Sequence, residues 1–165
     1  MPNWVQCRIV AMNENVDFSK FTDADGNFTF EKILPMPKDI YRGNLGAEEM
    51  EKYGSKNWYD WSIEHWGTKW DCRESYINGN RVEFETAWSF PEGAMKALAK
   101  KVGTIFCIFA DEDIGSNCGG CFIKRDGSVI EIDASALFAE TVWHGALPDT
   151  ASDIRCAFGR YLDDE

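Results

Sequence analysis

The stretch NWYDWSIEHWGTKWD, residues 57–71, decides how the rest of the chain is read. Asn57 is a residue type that accepts hydrogen bonds from the first turn of a helix, and Gly67 suits the left-handed turn just past a helix end. Between them Trp58 to Trp66 predicts a helix. On a helical wheel Trp58, Trp61, Ser62 and His65 share one side, with Trp66 at its margin, while Asp60 and Glu64 lie opposite. An aromatic stripe at this spacing is first a packing surface, because each indole buries a large apolar area. Part of it could instead floor a site for a planar ligand such as a base, or anchor a partner. The binding candidates are therefore Trp58, Tyr59, Trp61, His65, Trp66, Lys69 and Trp70, together with Trp88 further along.

Working outward, Trp4 to Met12 alternates well enough for a half-buried strand. Asp25-Gly26 marks a tight turn within Phe18 to Ile33, and Pro35 and Pro37 end that segment. Ala47 to Tyr53 is weakly helical and stops at Gly54. After the tryptophan-rich helix, Trp70 to Tyr76 and Arg81 to Trp88 read as strands around an Asn78-Gly79 turn. Ser89-Phe90-Pro91-Glu92 reads as a capping box opening a helix to Val102, with Ala94, Met95, Leu98 and Val102 as its apolar stripe. Thr104 to Ala110 follows as a buried strand. A second hairpin, Gly120 to Lys124 and Ser128 to Ile132, turns at Asp126-Gly127, and helices are expected over Ser135 to Trp143 and Ser152 to Leu162. The order β-α-β-β-α-β is that of the ferredoxin-like split βαβ unit, an antiparallel sheet with two helices on one face. The expected class is α+β, with an added hairpin and a helical C-terminal extension. The expected division is a domain over residues 1–127 and an acidic extension over 128–165 packed on it.

Composition narrows the function classes. The chain has 165 residues, seven Trp, eleven Phe and a formal charge of −11. Eight acidic and two basic residues from Glu131 onward carry −6 of that charge. Such a surface repels phosphate backbones and anionic membranes, and suits a partner with a basic face. Direct nucleic-acid binding is thus disfavoured, while a homo-oligomer stays open. No apolar run is long enough for a membrane span, and no signal pattern opens the sequence, so a cytoplasmic location in a bacterial host is expected. In a reducing compartment six cysteines read as small buried apolar residues or metal ligands rather than disulfides.

Residues with chemistry are few. His65, flanked by Asp60, Glu64, Lys69 and Asp71, is the candidate catalytic group for a small hydrolase acting on a nucleotide. No nucleophile is placed beside it by spacing. Cys118 and Cys121 form a single CxxC, half of a zinc site, and their glycines read more simply as a bend. Asp23 to Asn27 has calcium-loop vocabulary with the wrong spacing and reads as a turn. No cofactor is implied.

MPNW at the start, F-x-x-I-x-P-M-P at Phe30 to Pro37, the run at Asn57 to Asp71 and FETAWS at Phe84 to Ser89 carry a family resemblance. Together they resemble the YubB-like family of small proteins encoded by conjugative plasmids and bacteriophages. The resemblance spans roughly Met1 to Gly127 and leaves out the acidic end and the Cys118/Cys121 pair. It implies a ferredoxin-like fold and a mobile-element origin, and no activity. With no nucleophile–base pair and no complete metal site, the leading expectation is a non-enzymatic accessory protein. It would sequester or inhibit a host factor, either a protein with a basic face or a nucleotide-like ligand, as a counter-defence function. The nucleotide hydrolase and a nucleic-acid-binding module are the alternatives.

Overall fold

A computed structural model describes residues 3–111, 118–133, 136–137 and 147–162. Strand β1 (Trp4–Ala11) is followed by two short 3-10 turns, then helices α1 (Ala47–Tyr53) and α2 (Trp58–His65). Next come β2 (Arg73–Asn78), β3 (Arg81–Ala87), α3 (Glu92–Val102), β4 (Ile105–Asp111), β5 (Cys118–Ile123) and β6 (Val129–Glu131). Helix α4 (Ala151–Phe158) closes the described chain and runs into a 3-10 turn, Gly159–Tyr161. The strands form one sheet in the order β2-β3-β1-β4-β5-β6, antiparallel at every step. The first four with α2 and α3 are the ferredoxin-like unit, and β5–β6 extend the sheet past β4. The fold is α+β, as the order of periodicities predicts.

Strand parity divides the sheet into two faces. Val5, Cys7 and Ile9 of β1 stand beside Val82 and Phe84 of β3 and Ile105 and Cys107 of β4. Those side chains are buried in one cluster with Trp61 and Trp66, with Ala94, Met95 and Leu98 of α3, and with Phe18, Phe28 and Phe30 from the segment after β1. On the opposite face Val10, Phe106 and Phe122 pack under Ala151, Ile154 and Phe158 of α4. That helix covers one end of the second face. The other end carries Trp4, Gln6, Arg8, Glu83 and Glu85.

The two helices on the first face meet end to end. Asn57 caps α2 by accepting from Asp60 N–H at 2.9 Å, and Gly67 beyond it has φ +84°. The Trp66 carbonyl then accepts from Ala94 N–H at 3.1 Å, so the end of α2 satisfies a donor in the first turn of α3. This explains a difference from the sequence reading. Ser89 does not cap α3; its hydroxyl donates to the Gly67 carbonyl at 2.6 Å, and the capping position falls to Pro91. The approach requires a glycine at 93. A Cβ there would stand 2.0 Å from the His65 carbonyl oxygen and 2.8 Å from its carbon, both backbone atoms.

Other boundaries shift for local reasons. β2 begins at Arg73 instead of Trp70 because Asp71 turns inward, accepting from Phe30 N–H, Cys72 N–H (each 2.8 Å) and the Thr29 hydroxyl. Its hairpin turns at Gly79-Asn80, one residue later than expected, with Gly79 at φ +58°. The Asp126-Gly127 turn is as expected, and Ser128 hydroxyl and N–H bonds hold the Asp126 carboxyl below its usual range. Cys118 to Cys121 is strand rather than bend: the Phe109 ring lies over Gly119 and the Leu137 side chain over Gly120, on opposite faces. Most of the helix expected over Ser135 to Trp143 lies outside the described residues.

The thiols follow the same parity. Cys7, Cys107 and Cys121 are buried on the first face, where burial pushes the Cys7 thiol up to about 12 and raises Cys107 as well. Half-buried Cys72 donates to the Phe28 carbonyl at 3.1 Å, and burial and then the Asp71 charge raise its thiol. Cys118 and Cys156 are exposed. Thiol-reactive dye on the native chain is expected to label Cys118 and Cys156 at once and the other four only after denaturation. Rapid native labelling at Cys107 or Cys121 would contradict the packing. Replacing Gly93 with Ala is expected to lower unfolding stability by about 3 kcal/mol. Gly159→Ala, at φ −55° with open space around it, should be neutral within about 0.5 kcal/mol in the same urea titrations.

Candidate functional site

Within the tryptophan-rich stretch the structure separates core from surface. Trp61 and Trp66 are 6% and 3% exposed and pack edge to face, with ring centroids 5.3 Å apart. Trp66 also meets the Phe30 ring and donates from its indole N–H to the Leu34 carbonyl at 2.9 Å. Half-buried Trp58 donates to the Gly43 carbonyl, and Tyr59 is exposed beside it. The helix face is thus packing, and the Trp58 and Trp66 indole donors are spent on loop carbonyls.

The carboxylates and the histidine are likewise committed. The His65 ring stacks on Trp61 at 4.5 Å, and its Nδ1 donates to the Trp61 carbonyl at 3.0 Å. Asp60 accepts from the Asn57 amide at 2.7 Å, and Asp71 holds the backbone at Phe30. Glu64 is exposed on the outer side of α2. Lys69 points away from this group, toward Trp70 and Trp88. Each of the five candidate catalytic residues therefore has a local partner or an outward aspect, and no shared centre is formed by these contacts.

Cys118 and Cys121 are an odd number of positions apart on one strand, so they project from opposite faces of β5. The pair cannot close on one metal ion without breaking the strand. Among the described residues no group of three or more His, Cys, Asp and Glu side chains could hold a metal ion.

A different set of residues does converge, at the end of the sheet that α4 leaves open. Trp4 opens β1, Trp70 precedes β2 and Trp88 follows β3. The Arg73 guanidinium carbon stands 3.3 Å above the Trp4 ring, and Trp4 and Trp70 have centroids 6.2 Å apart. The Lys69 ammonium lies 4.2 Å from the Trp70 ring and 5.9 Å from that of Trp88. Cations and indoles are thus linked through five residues, Arg73, Trp4, Trp70, Lys69 and Trp88, with Trp4 and Trp70 in ring–ring contact at the centre. Each such contact contributes about 0.5–1 kcal/mol at an exposed site. Trp70 is 38% and Trp88 64% exposed, so the ladder presents ring surface to solvent.

Local structure explains how these residues meet. Buried Thr68 donates to the Ala87 carbonyl at 2.8 Å, and Ser89 bonds Gly67. Together they pin the linker carrying Lys69 and Trp70 against the end of β3. The Trp88 N–H donates to the Asn3 carbonyl, and its backbone is left-handed at φ +73°. Glu74, next to Arg73 in the irregular start of β2, is left-handed too, at φ +49°. These are the two non-glycine residues of positive φ among the described residues; Trp88 belongs to the ladder and Glu74 adjoins it. Strain of this kind collects where a surface is shaped for use.

The ladder continues into a shallow groove of about 560 Å³ on the same face, lined by Gln6, Arg8, Glu74, Glu83, Glu85 and Ile108 among others. Here charges are internally paired across strands. Arg8 meets Glu83 at 2.7 Å and Arg73 meets Glu85 at 3.0 Å, each pair directly opposed in register. Lys69 differs, having no carboxylate partner within ion-pair distance among the described residues.

Of the binding candidates read from sequence, Lys69, Trp70 and Trp88 belong to this site, whereas Trp58, Trp61 and Trp66 belong to the core side of α2. Trp4 and Arg73 were missed. The signal for Trp4 was its parity in β1, which places it on the polar face with Gln6 and Arg8.

A family model agrees with the architecture. The family model described as "Ferredoxin-like domain in Api92-like protein" matches residues 65–144. The crystal structure of a protein api92 from Yersinia pseudotuberculosis is similar at 19% identity and a TM-score of 0.37 over 49% of this chain. The chain spans 32% of that protein's length. No curated protein matches. The chain thus carries a ferredoxin-like domain similar to that of Api92-like proteins, with no helix among the described residues long and apolar enough to cross a membrane.

Proposed function

We propose that this chain is a non-enzymatic accessory protein of a phage or plasmid that captures and sequesters a host factor on the tryptophan–cation ladder. The observation that carries this reading is the convergence of Trp4, Trp70 and Trp88, from three separate segments, around Lys69 and Arg73 in a chain of net charge −11. Core packing does not require indoles there, since two of them keep a third or more of their surface in water. Aromatic rings held rigid with cations beside them are well suited to binding, because little side-chain entropy remains to be lost. The acidic remainder of the surface repels nucleic acid, which restricts the captured factor to a small ligand or a protein. The mobile-element role rests on the family resemblance carried by MPNW, Phe30 to Pro37, Asn57 to Asp71 and Phe84 to Ser89, and counter-defence is the use such capture would serve.

Two measurements test the reading. Native mass spectrometry of the chain purified from bacterial cells is expected to show a non-covalent adduct that is lost in the Trp70→Ala, Trp88→Ala variant. An adduct that survives both substitutions would place binding elsewhere. Trp88→Gly should abolish the adduct while leaving stability unchanged or raised by up to about 1 kcal/mol, since glycine accepts φ +73° without strain. A fall of more than about 1 kcal/mol would make that ring a structural element instead.

A further inference from the structure

The ladder has an asymmetry that bears on the class of ligand, and any ligand class assigned to it rests on the ladder being the binding surface. Arg73 is spent: its guanidinium stacks on Trp4 and its Nε donates to Glu85. Lys69 is not. The residue is half-buried, its ammonium lies over the Trp70 and Trp88 rings, and it makes no ion pair among the described residues. Lys69 is therefore a cation fixed at the sheet end by two rings and not by a carboxylate, which leaves its charge able to meet an anion from outside. Beside it Trp88 is 64% exposed and presents ring surface to solvent.

We propose that Lys69 and Trp88 bind a nucleoside monophosphate, the base stacked on Trp88 and the phosphate on the Lys69 ammonium. Stacking is tolerant of the base and supplies affinity rather than sequence specificity. A single ammonium serves one phosphate. Glu74 lines the adjoining groove with no ion pair among the described residues, and with the chain's net charge of −11 it disfavours further negative charge, so a polyanionic strand running along the sheet is rejected. The fold's sheet end thereby reads a nucleotide and excludes nucleic acid by the sign of its surroundings.

The test is quenching of tryptophan fluorescence with four probes: adenosine 5′-monophosphate, adenosine, inorganic phosphate and a short oligodeoxyadenylate. The monophosphate is expected to bind at least about tenfold more tightly than adenosine or phosphate alone. Lys69→Met should lower monophosphate affinity about tenfold, to that of adenosine, and leave adenosine binding unchanged. Trp88→Leu should weaken both. Lys52→Met, whose ammonium lies over the Tyr53 ring instead, should change neither. Urea midpoints near that of the parent chain would show that the variants remain folded. Monophosphate binding no tighter than adenosine, insensitivity to Lys69→Met, or tighter binding of the oligonucleotide would each overturn the proposal. If no nucleotide binds and the ladder variants still lose the adduct from cells, the ligand class is wrong and the binding reading stands. If those variants keep the adduct, the reading falls and the proposal with it.

Discussion

Trp66 is the residue, through both its side chain and its backbone carbonyl, on which the rest of the structure depends. It sits where α2 ends and makes contact in three directions. Its ring lies edge-on against Phe30 and Trp61, its indole N–H donates to Leu34, and its carbonyl accepts from Ala94. Three stretches distant in sequence are thereby joined: the loop before α1, the tryptophan-rich helix and the first turn of α3. A buried indole N–H without an acceptor costs about 1–3 kcal/mol, so each of these bonds constrains the others. Gly93 is the counterpart, since only a residue without Cβ lets α3 approach the end of α2 so closely.

The same junction sets the position of the candidate site. From Trp66 the chain passes Gly67 and Thr68, which Ser89 and Ala87 hold against the end of β3. Lys69 and Trp70 emerge from that anchored segment directly beside Trp88. Meanwhile α4 closes the far end of the second sheet face, leaving ring surface exposed at the near end. The ladder is therefore a product of core geometry rather than of a mobile loop. Its rigidity comes from helix packing on the opposite face. The left-handed backbone at Glu74 and Trp88 shows where that rigidity is used against local preference.

Much of the fold was legible because its periodicities are local. Asn57, Gly67 and the indole spacing predicted α2 from end to end, and the strand–helix alternation predicted the split βαβ order. What was misread depended on partners distant in sequence. Ser89 looked like a cap because Glu92 follows it at the right distance, yet its hydroxyl had a better acceptor in Gly67. Cys118 to Cys121 looked like a bend because two glycines sit in it. Those glycines instead admit Phe109 on one face and Leu137 on the other. The site was half legible. Lys69, Trp70 and Trp88 stood out by composition, but Trp4 and Arg73 join them only through strand pairing, which a single sequence does not display.

The central claim is that the Trp66 indole, through its buried hydrogen bond and ring contacts, locks the helices onto the sheet. The most direct measurement is equilibrium urea unfolding of Trp66→Phe beside Trp58→Phe, since both indoles donate to a loop carbonyl and only Trp66 is fully packed. The account predicts a loss of about 2 kcal/mol or more for Trp66→Phe and under about 1 kcal/mol for Trp58→Phe. Equal losses, or a larger one at Trp58, would contradict it.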